Sequence, residues 1–261
     1  METDMTVGSP ARVILNFTIP IFIGNIFQQL YNMADAVIVG KFVGPNALAA
    51  VGSCGTLMFL IIGFLQGLTA GFTVITAQHF GAGNMKAMRQ SVASACILSA
   101  VVSVIMTVLS MSMMKQILGW MNTPPEIYSE AYGYIMVICA GIVAQVLYNL
   151  LASILRALGN SKVPLYFLIL AAFLNVVLDL VFIIVFHMGA AGAAYATVIS
   201  QGVSGAACLL YIFKSVPDLH LNKEDWRLHR DLSMWQLRIG LPMALQYSIT
   251  AIGTIMVQAA L

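Results

Sequence analysis

The chain has 261 residues, 60% of them hydrophobic and 8% charged, where a soluble domain carries about 25% charged residues; it reads as an all-α integral membrane protein. A formal net charge of +2, with no basic run interleaved with aromatics, excludes nucleic acid as a partner. Cys54, Cys96, Cys139 and Cys208 stand singly in separate apolar segments without CxxC spacing or a histidine cluster, so they read as buried small hydrophobes and no metal site is expected from them.

The opening METDMTVGSPAR lacks the charged n-region, short h-region and cleavage site of a secretory signal, which leaves the first long helix as its own insertion signal. Apolar stretches able to cross a hydrocarbon core of roughly 30 Å run over residues 13–40, 47–78, 88–113, 127–155, 163–186, 190–213 and 239–261. The second and fourth are overlong, an excess that tilt or an interfacial end absorbs. The seventh stops at Leu261 without a cap, a basic flank or a turn, so the sequence predicts a chain cut inside a helix.

Span one carries an acid, Asp35, with no other charge back to Arg12 and only Lys41 ahead of it. A charge at bilayer depth costs roughly 2.5 to 3.5 kcal/mol on insertion scales and marks a functional site by default. Asn25, Gln28, Tyr31 and Asn32 recur at spacings of three and four and form one polar stripe that ends at Asp35. A plain helix–helix hydrogen-bonding seam is the alternative. Pro20 removes a backbone bond near the start of the span, which makes it either a hinge or a static kink.

The segment HFGAGNMK, at 79–86, has no GxGxxG or Walker spacing and follows no strand, so it is a turn after span two. Span five holds a second acid, Asp179, with Asn175 one turn before it on the same face. His187, at the outer end of that span, has no partner at metal-ligand spacing. Span six adds Thr197 and Gln201 at i and i+4, together with Ser200 and Ser204. Its rows of small residues, Gly189, Ala193 and Thr197 beside Gly192, Ala196, Ser200 and Ser204, permit close approach to spans one and five. The 16 methionines read mostly as lipid-facing filler, although such side chains also suit an adaptable apolar surface.

With sides alternating along the chain, ten of the 12 Lys and Arg fall on one side and only Lys41 and Lys115 on the other. The positive-inside rule then places the N-terminus and the loops after spans two, four and six in the cytoplasm. The longest polar stretch, 214–238, divides the chain into a six-helix lobe at 1–213, a cytoplasmic linker, and the first helix of a second lobe at 239–261. Within the linker, Trp226, Leu228, Leu232 and Trp235 fit either a short helix on the membrane surface or a solvated connection with interfacial Trp anchors. An echo supports a duplicated half: Arg12 to Pro20 opens span one much as Trp235 to Pro242 opens span seven. Aligning the two prolines puts Val257 opposite Asp35, so the acid is not repeated.

Close packing of spans one, five and six brings two acids and several neutral oxygens together. Two carboxylates in a low-dielectric pocket cannot both stay charged without a cation, and a proton or a hard cation such as Na⁺ neutralises the pair through oxygen ligands alone. A purely structural pair, hydrogen-bonded to helix partners, is the competing reading.

The segment TIPIFIGNIFQQLYNMADAVIVGKFVG, the loop RALGNSKVP, the NVVLD of span five and GAAGAAYATVISQ of span six resemble, in order and spacing, the multidrug and toxic compound extrusion transporters, and among them the DinF-like branch. The resemblance implies twelve helices in two pseudo-symmetric lobes, of which this chain supplies the N-terminal one. It implies a non-enzymatic antiporter of the cytoplasmic (inner) membrane that exchanges organic cations or amphipathic drugs for H⁺ or Na⁺ without a cofactor, its other partners being membrane lipids and the missing C-terminal lobe. By position it makes Asp35, Asn175, Asp179 and Thr197 the cation site. Gln28, Tyr31 and Asn32 fall in the substrate cavity, and Pro20 becomes the hinge of span one.

Two alternatives share some of these features. A lipid-linked oligosaccharide flippase would have the same architecture but carries basic residues in its cavity, whereas every Arg and Lys here falls at a loop or helix end. An intramembrane aspartyl protease also uses two acids, yet its Tyr-Asp and Gly-x-Gly-Asp motifs are missing, since Ala34 precedes Asp35 and Leu178 precedes Asp179.

Overall fold

A computed structural model describes residues 9–227 and 229–260, with side chains described through Ile249. The chain folds into α1 (Pro10–Phe42), α2 (Pro45–Gly81), α3 (Met85–Trp120), α4 (Pro125–Ala140), α5 (Ile142–Ala157), α6 (Lys162–Leu180), α7 (Gly189–Ser215) and α8 (Arg230–Ala260), and no strand occurs among the described residues. Prolines open α1, α2 and α4, where the missing N–H would have had no intrahelical partner in any case. Asn84 starts α3 by accepting a hydrogen bond from Ala87 N at 3.1 Å, the usual side-chain cap. The turn foreseen in the 79–86 segment forms around Gly83, whose φ of +70° is one that a side chain would strain.

Among the described residues five helices are long and apolar enough to cross a membrane, six if α4 and α5, bent by 49° at their junction, are counted as one span. Residues 127–155, expected as one overlong span, break at Gly141 into two helices. A Cβ on Gly141 would collide with the side chain of Val198 in α7, so α7 presses into the break and only glycine fits there. The seventh expected span also begins early: α8 starts at Arg230, so residues 230–238 are helix rather than linker. Between α7 and α8 the backbone makes one 3₁₀ turn, Pro217–Leu219, and then further turns. Trp226 lies in these turns and is exposed, while Trp235 lies in α8; Leu228 falls outside the described residues, so the surface-helix reading is not decided at that position.

Lipid tails are as apolar as leucine, so helix association in a membrane rests on close packing and hydrogen bonds. Here α2 is the central post, touching α3, α4, α5 and α8. At its crossing with α8 the two backbones meet. A Cβ on Gly67 would lie 2.7 Å from Met243 O, and one on Gly71 would strike Gly240 Cα. Beside that crossing, the fully buried Gln236 donates to Phe72 O at 3.2 Å and to Ser91 O at 2.8 Å, tying α8 to α2 and α3. Arg89 of α3 pairs with Asp225 of the connection at 3.4 Å. Met88 and Met114 are fully buried, so these two fill the core rather than face lipid.

The most peripheral of the first seven helices is α1. It buries Pro20, Gly24, Tyr31, Asp35, Ile38 and Val39, a single stripe at helical spacing. Ile14, Phe22, Ile26, Leu30, Met33 and Val37 stay exposed on the outer face.

Candidate functional site

The buried stripe of α1 faces α6 and α7, and the two acids meet there. Asn175 and Asp179 share one face of α6 and are both buried, Asp179 completely. Immediately after Asp179 the helix widens into one π turn, Val181–Val185, closed by Phe186 N bonding to Val181 O at 3.1 Å; such turns recur at functional sites. Thr197 of α7 bridges the other two helices. Its hydroxyl lies 3.5 Å from Asp35 Oδ2, to which it donates, and it accepts from Asn175 Nδ2 at 3.3 Å. The Asp35 carboxyl is also within reach of Asp179. The four residues expected as one cation site, on three different helices, are thus brought together.

Their hydrogen bonding is incomplete. Asp35 Oδ1, Asn175 Oδ1 and both carboxylate oxygens of Asp179 are buried without a partner. All four are oxygens, the ligand set that suits a proton or a hard cation and not a soft metal. Among the described residues no group of three or more His, Cys, Asp and Glu is arranged to hold a metal ion.

A cavity of about 650 Å³ opens beside this cluster. Pro20, Gly24, Asn25, Gln28, Tyr31, Asn32 and Asp35 line it from α1, and Thr197 and Gln201 from α7. The stripe read from the sequence therefore faces the cavity. Tyr31 is buried in that wall, whereas Asn32 sits at its exposed edge and donates to Gln29 Oε1 at 3.3 Å.

The opposite wall is one that sequence reasoning missed. Gln145, Tyr148, Asn149, Ser153 and Arg156 of α5 all line the cavity, at the three- and four-residue spacing that put the α1 stripe in view. Tyr148 Oη donates to Pro164 O at 3.0 Å and Asn149 Nδ2 to Gln145 O at 2.9 Å. Arg156 is in the last turn of α5, as its place beside a loop requires, yet its side chain faces the cavity. The expectation that every basic residue stays out of the cavity is corrected at this position: an arginine in a last helical turn can reach inward with its long side chain.

Residues 20–181 match the family model MatE. The chain belongs to the MatE family. It is 31% identical to the probable multidrug resistance protein YpnP of Bacillus subtilis, over 94% of this chain and 55% of the relative. It is 29% identical to the probable multidrug resistance protein NorM of Thermotoga maritima, over 94% of this chain and 53% of the relative. Among solved structures it is similar to the outward-facing conformation of a multidrug resistance MATE family transporter of the MOP superfamily, with a TM-score of 0.86 and 30% identity over 92% of this chain and 53% of that one. The MatE chain thus spans about half the length of the relatives it matches. These matches lend nothing to the flippase or aspartyl-protease alternatives.

Proposed function

We propose that the chain is the ion-binding half of a cation-coupled antiporter that exports organic cations or other amphipathic drugs. The coupling ion, H⁺ or Na⁺, is held by Asp35 and Asp179 with Asn175 and Thr197, and the drug occupies the cavity lined by Gln28, Tyr31 and Asn32. The observation that carries this reading is Asp179, a carboxylate with no exposed surface and no donor to either oxygen, facing a second carboxylate on another helix. An unpartnered buried acceptor costs about 1–3 kcal/mol, more when charged, and a proton or cation shared between the acids removes that cost. The chain's own oxygens bind and orient the ion, and the three helices that carry them, α1, α6 and α7, shield it from water.

In this reading Pro20 is the hinge. Its missing N–H leaves one backbone carbonyl of α1 without an intrahelical partner, on a helix held to the bundle by a single stripe, so ion arrival at Asp35 is converted into bending of α1. Residues 1–213 form the first lobe, 214–238 contain the connection and 239–261 begin a second lobe, with α8 reaching back to Arg230. The protein lies in the cytoplasmic membrane with its N-terminus in the cytoplasm, following the loop charges.

The test is efflux driven by imposed H⁺ or Na⁺ gradients in everted vesicles holding the full-length protein. Asp35→Asn is expected to abolish coupled efflux while the protein still folds; gradient-driven transport at the wild-type rate would refute the reading. The 261-residue chain alone is expected to lack alternating access, which transport by it in liposomes would disprove.

A further inference from the structure

The ion-binding reading uses one end of the cavity only. The other end is built by the last turn of α5 and the start of α6, where Arg156, Ser153, Ser161 and Pro164 line the wall. Gly24 of α1 packs against Leu165 and Leu168 of α6, so this end is level with Gly24, about 16 Å of helix rise from Asp35. Arg156 Nε is buried and donates to nothing. Among the described residues the ion pair within 4 Å is Arg89 with Asp225, which leaves the Arg156 guanidinium without a carboxylate. Higher on the same face of α5, Gln145 Nε2 is another buried donor lacking an acceptor.

The missing partners along this wall are acceptors. A guanidinium does not shed its proton in a protein, so it cannot escape the cost of burial by becoming neutral; an incoming group has to supply the oxygen. The N-terminus of α6 brings the partial positive charge of its dipole to the same end; Asn160 Oδ1 accepts from Val163 N at 3.1 Å there, and the buried Ser161 makes no side-chain cap bond. A single guanidinium balances a single negative charge and its planar fork matches a carboxylate, which favours a carboxylate over a phosphate dianion.

We propose that the Arg156 end of the cavity is an anion subsite that receives the carboxylate of an amphipathic zwitterionic ligand, with Arg156 as the fork and the Ser153 and Ser161 hydroxyls as flanking donors. The inference rests on the cavity being the drug site and assigns the chemistry of one end of it. The separation from Asp35 keeps the ligand's acid away from the two carboxylates.

A matched pair of dyes tests it: rhodamine 110, which has a free carboxylate, and its methyl ester, rhodamine 123, titrated against the purified full-length protein by fluorescence polarisation at neutral pH. The acid-to-ester affinity ratio should fall about tenfold in Arg156→Gln, the loss expected for a hydrogen bond between charged groups, and should be only partly kept in Arg156→Lys, which retains the charge without the fork. Should Arg156→Gln fail to fold, as judged by size exclusion and thermal melting, Ser161→Ala reads the same ratio, with a drop of about threefold expected for a neutral donor. If both dyes bind and the ratio is the same in wild type and variants, the subsite is refuted while the drug-cavity reading stands. If neither dye binds the wild type, both fall together.

Discussion

At the Asp35 end of the cavity the acids leave buried oxygens without partners; at the Arg156 end it is a guanidinium N–H that lacks one. The two ends also differ in access. Asp179 has no exposed surface and sits behind Asp35 and Thr197, whereas Arg156 is only partly buried in the wall of a cavity of about 650 Å³. That difference agrees with the proposed roles, a small ion at the acids and a larger ligand in the cavity. The lesson is that one continuous cavity can serve opposite charges when the desolvated groups of each sign are kept at opposite ends.

The largest effects should come from breaking the acid end. Asp179→Asn removes the charge without changing the shape, and coupled efflux should be lost in the same vesicle assay; thermal stability should not fall, because an uncompensated buried charge is removed with it. Next is the tenfold change in dye preference expected at Arg156, since the proposal gives that end the ligand and not the coupling ion. If Arg156→Gln instead changed the ion dependence of transport, the division of labour between the ends would be wrong. Thr197→Val takes away the hydroxyl that links Asp35 to Asn175 and should cost about 1 kcal/mol, read as roughly fivefold weaker dependence on the coupling ion in the transport rate. The smallest effect is expected for Pro20→Ala, which restores the backbone bond of α1: efflux should slow several-fold, with half-saturating ion concentration unchanged.

The acid end was legible in the sequence for a physical reason. An aspartate inside an apolar helix has few innocent explanations, and the i, i+4 pair of Asn175 and Asp179 announced a face. The α5 wall was written in the same periodicity, but its members at 145, 148, 149 and 153 are neutral, and neutral polar residues are tolerated in membrane helices. Arg156 was absorbed into the loop-charge count that sets orientation, which records where a residue sits along the chain and not where its side chain reaches. The break at Gly141 was hidden because glycine is common in membrane helices; what makes it a break is Val198, far away in sequence. The π turn after Asp179 has no pattern in residue type at all. Helix existence, by contrast, followed directly from apolar run length, and the misplaced start of α8 arose because Arg230–Arg238 is polar enough to resemble a loop while helical in backbone.

The crossing of α2 and α8 sets how these helices can move. Where Gly71 and Gly240 touch backbone to backbone, the helices have no side-chain cushion between them. Sliding α8 along α2 would drive Gly240 into the ring of Phe72, since a Cβ there already lies 2.9 Å from it. Gly71→Ala should therefore lower stability by about 1–3 kcal/mol through overpacking, seen as a lower melting temperature. The second close approach one turn away, Gly67 against Met243, and the Gln236 bonds to Phe72 and Ser91 hold the crossing in register as well. The glycines thus act as a lock on spacing: they set how near the two helix axes lie, and every side chain along the crossing is placed by that distance.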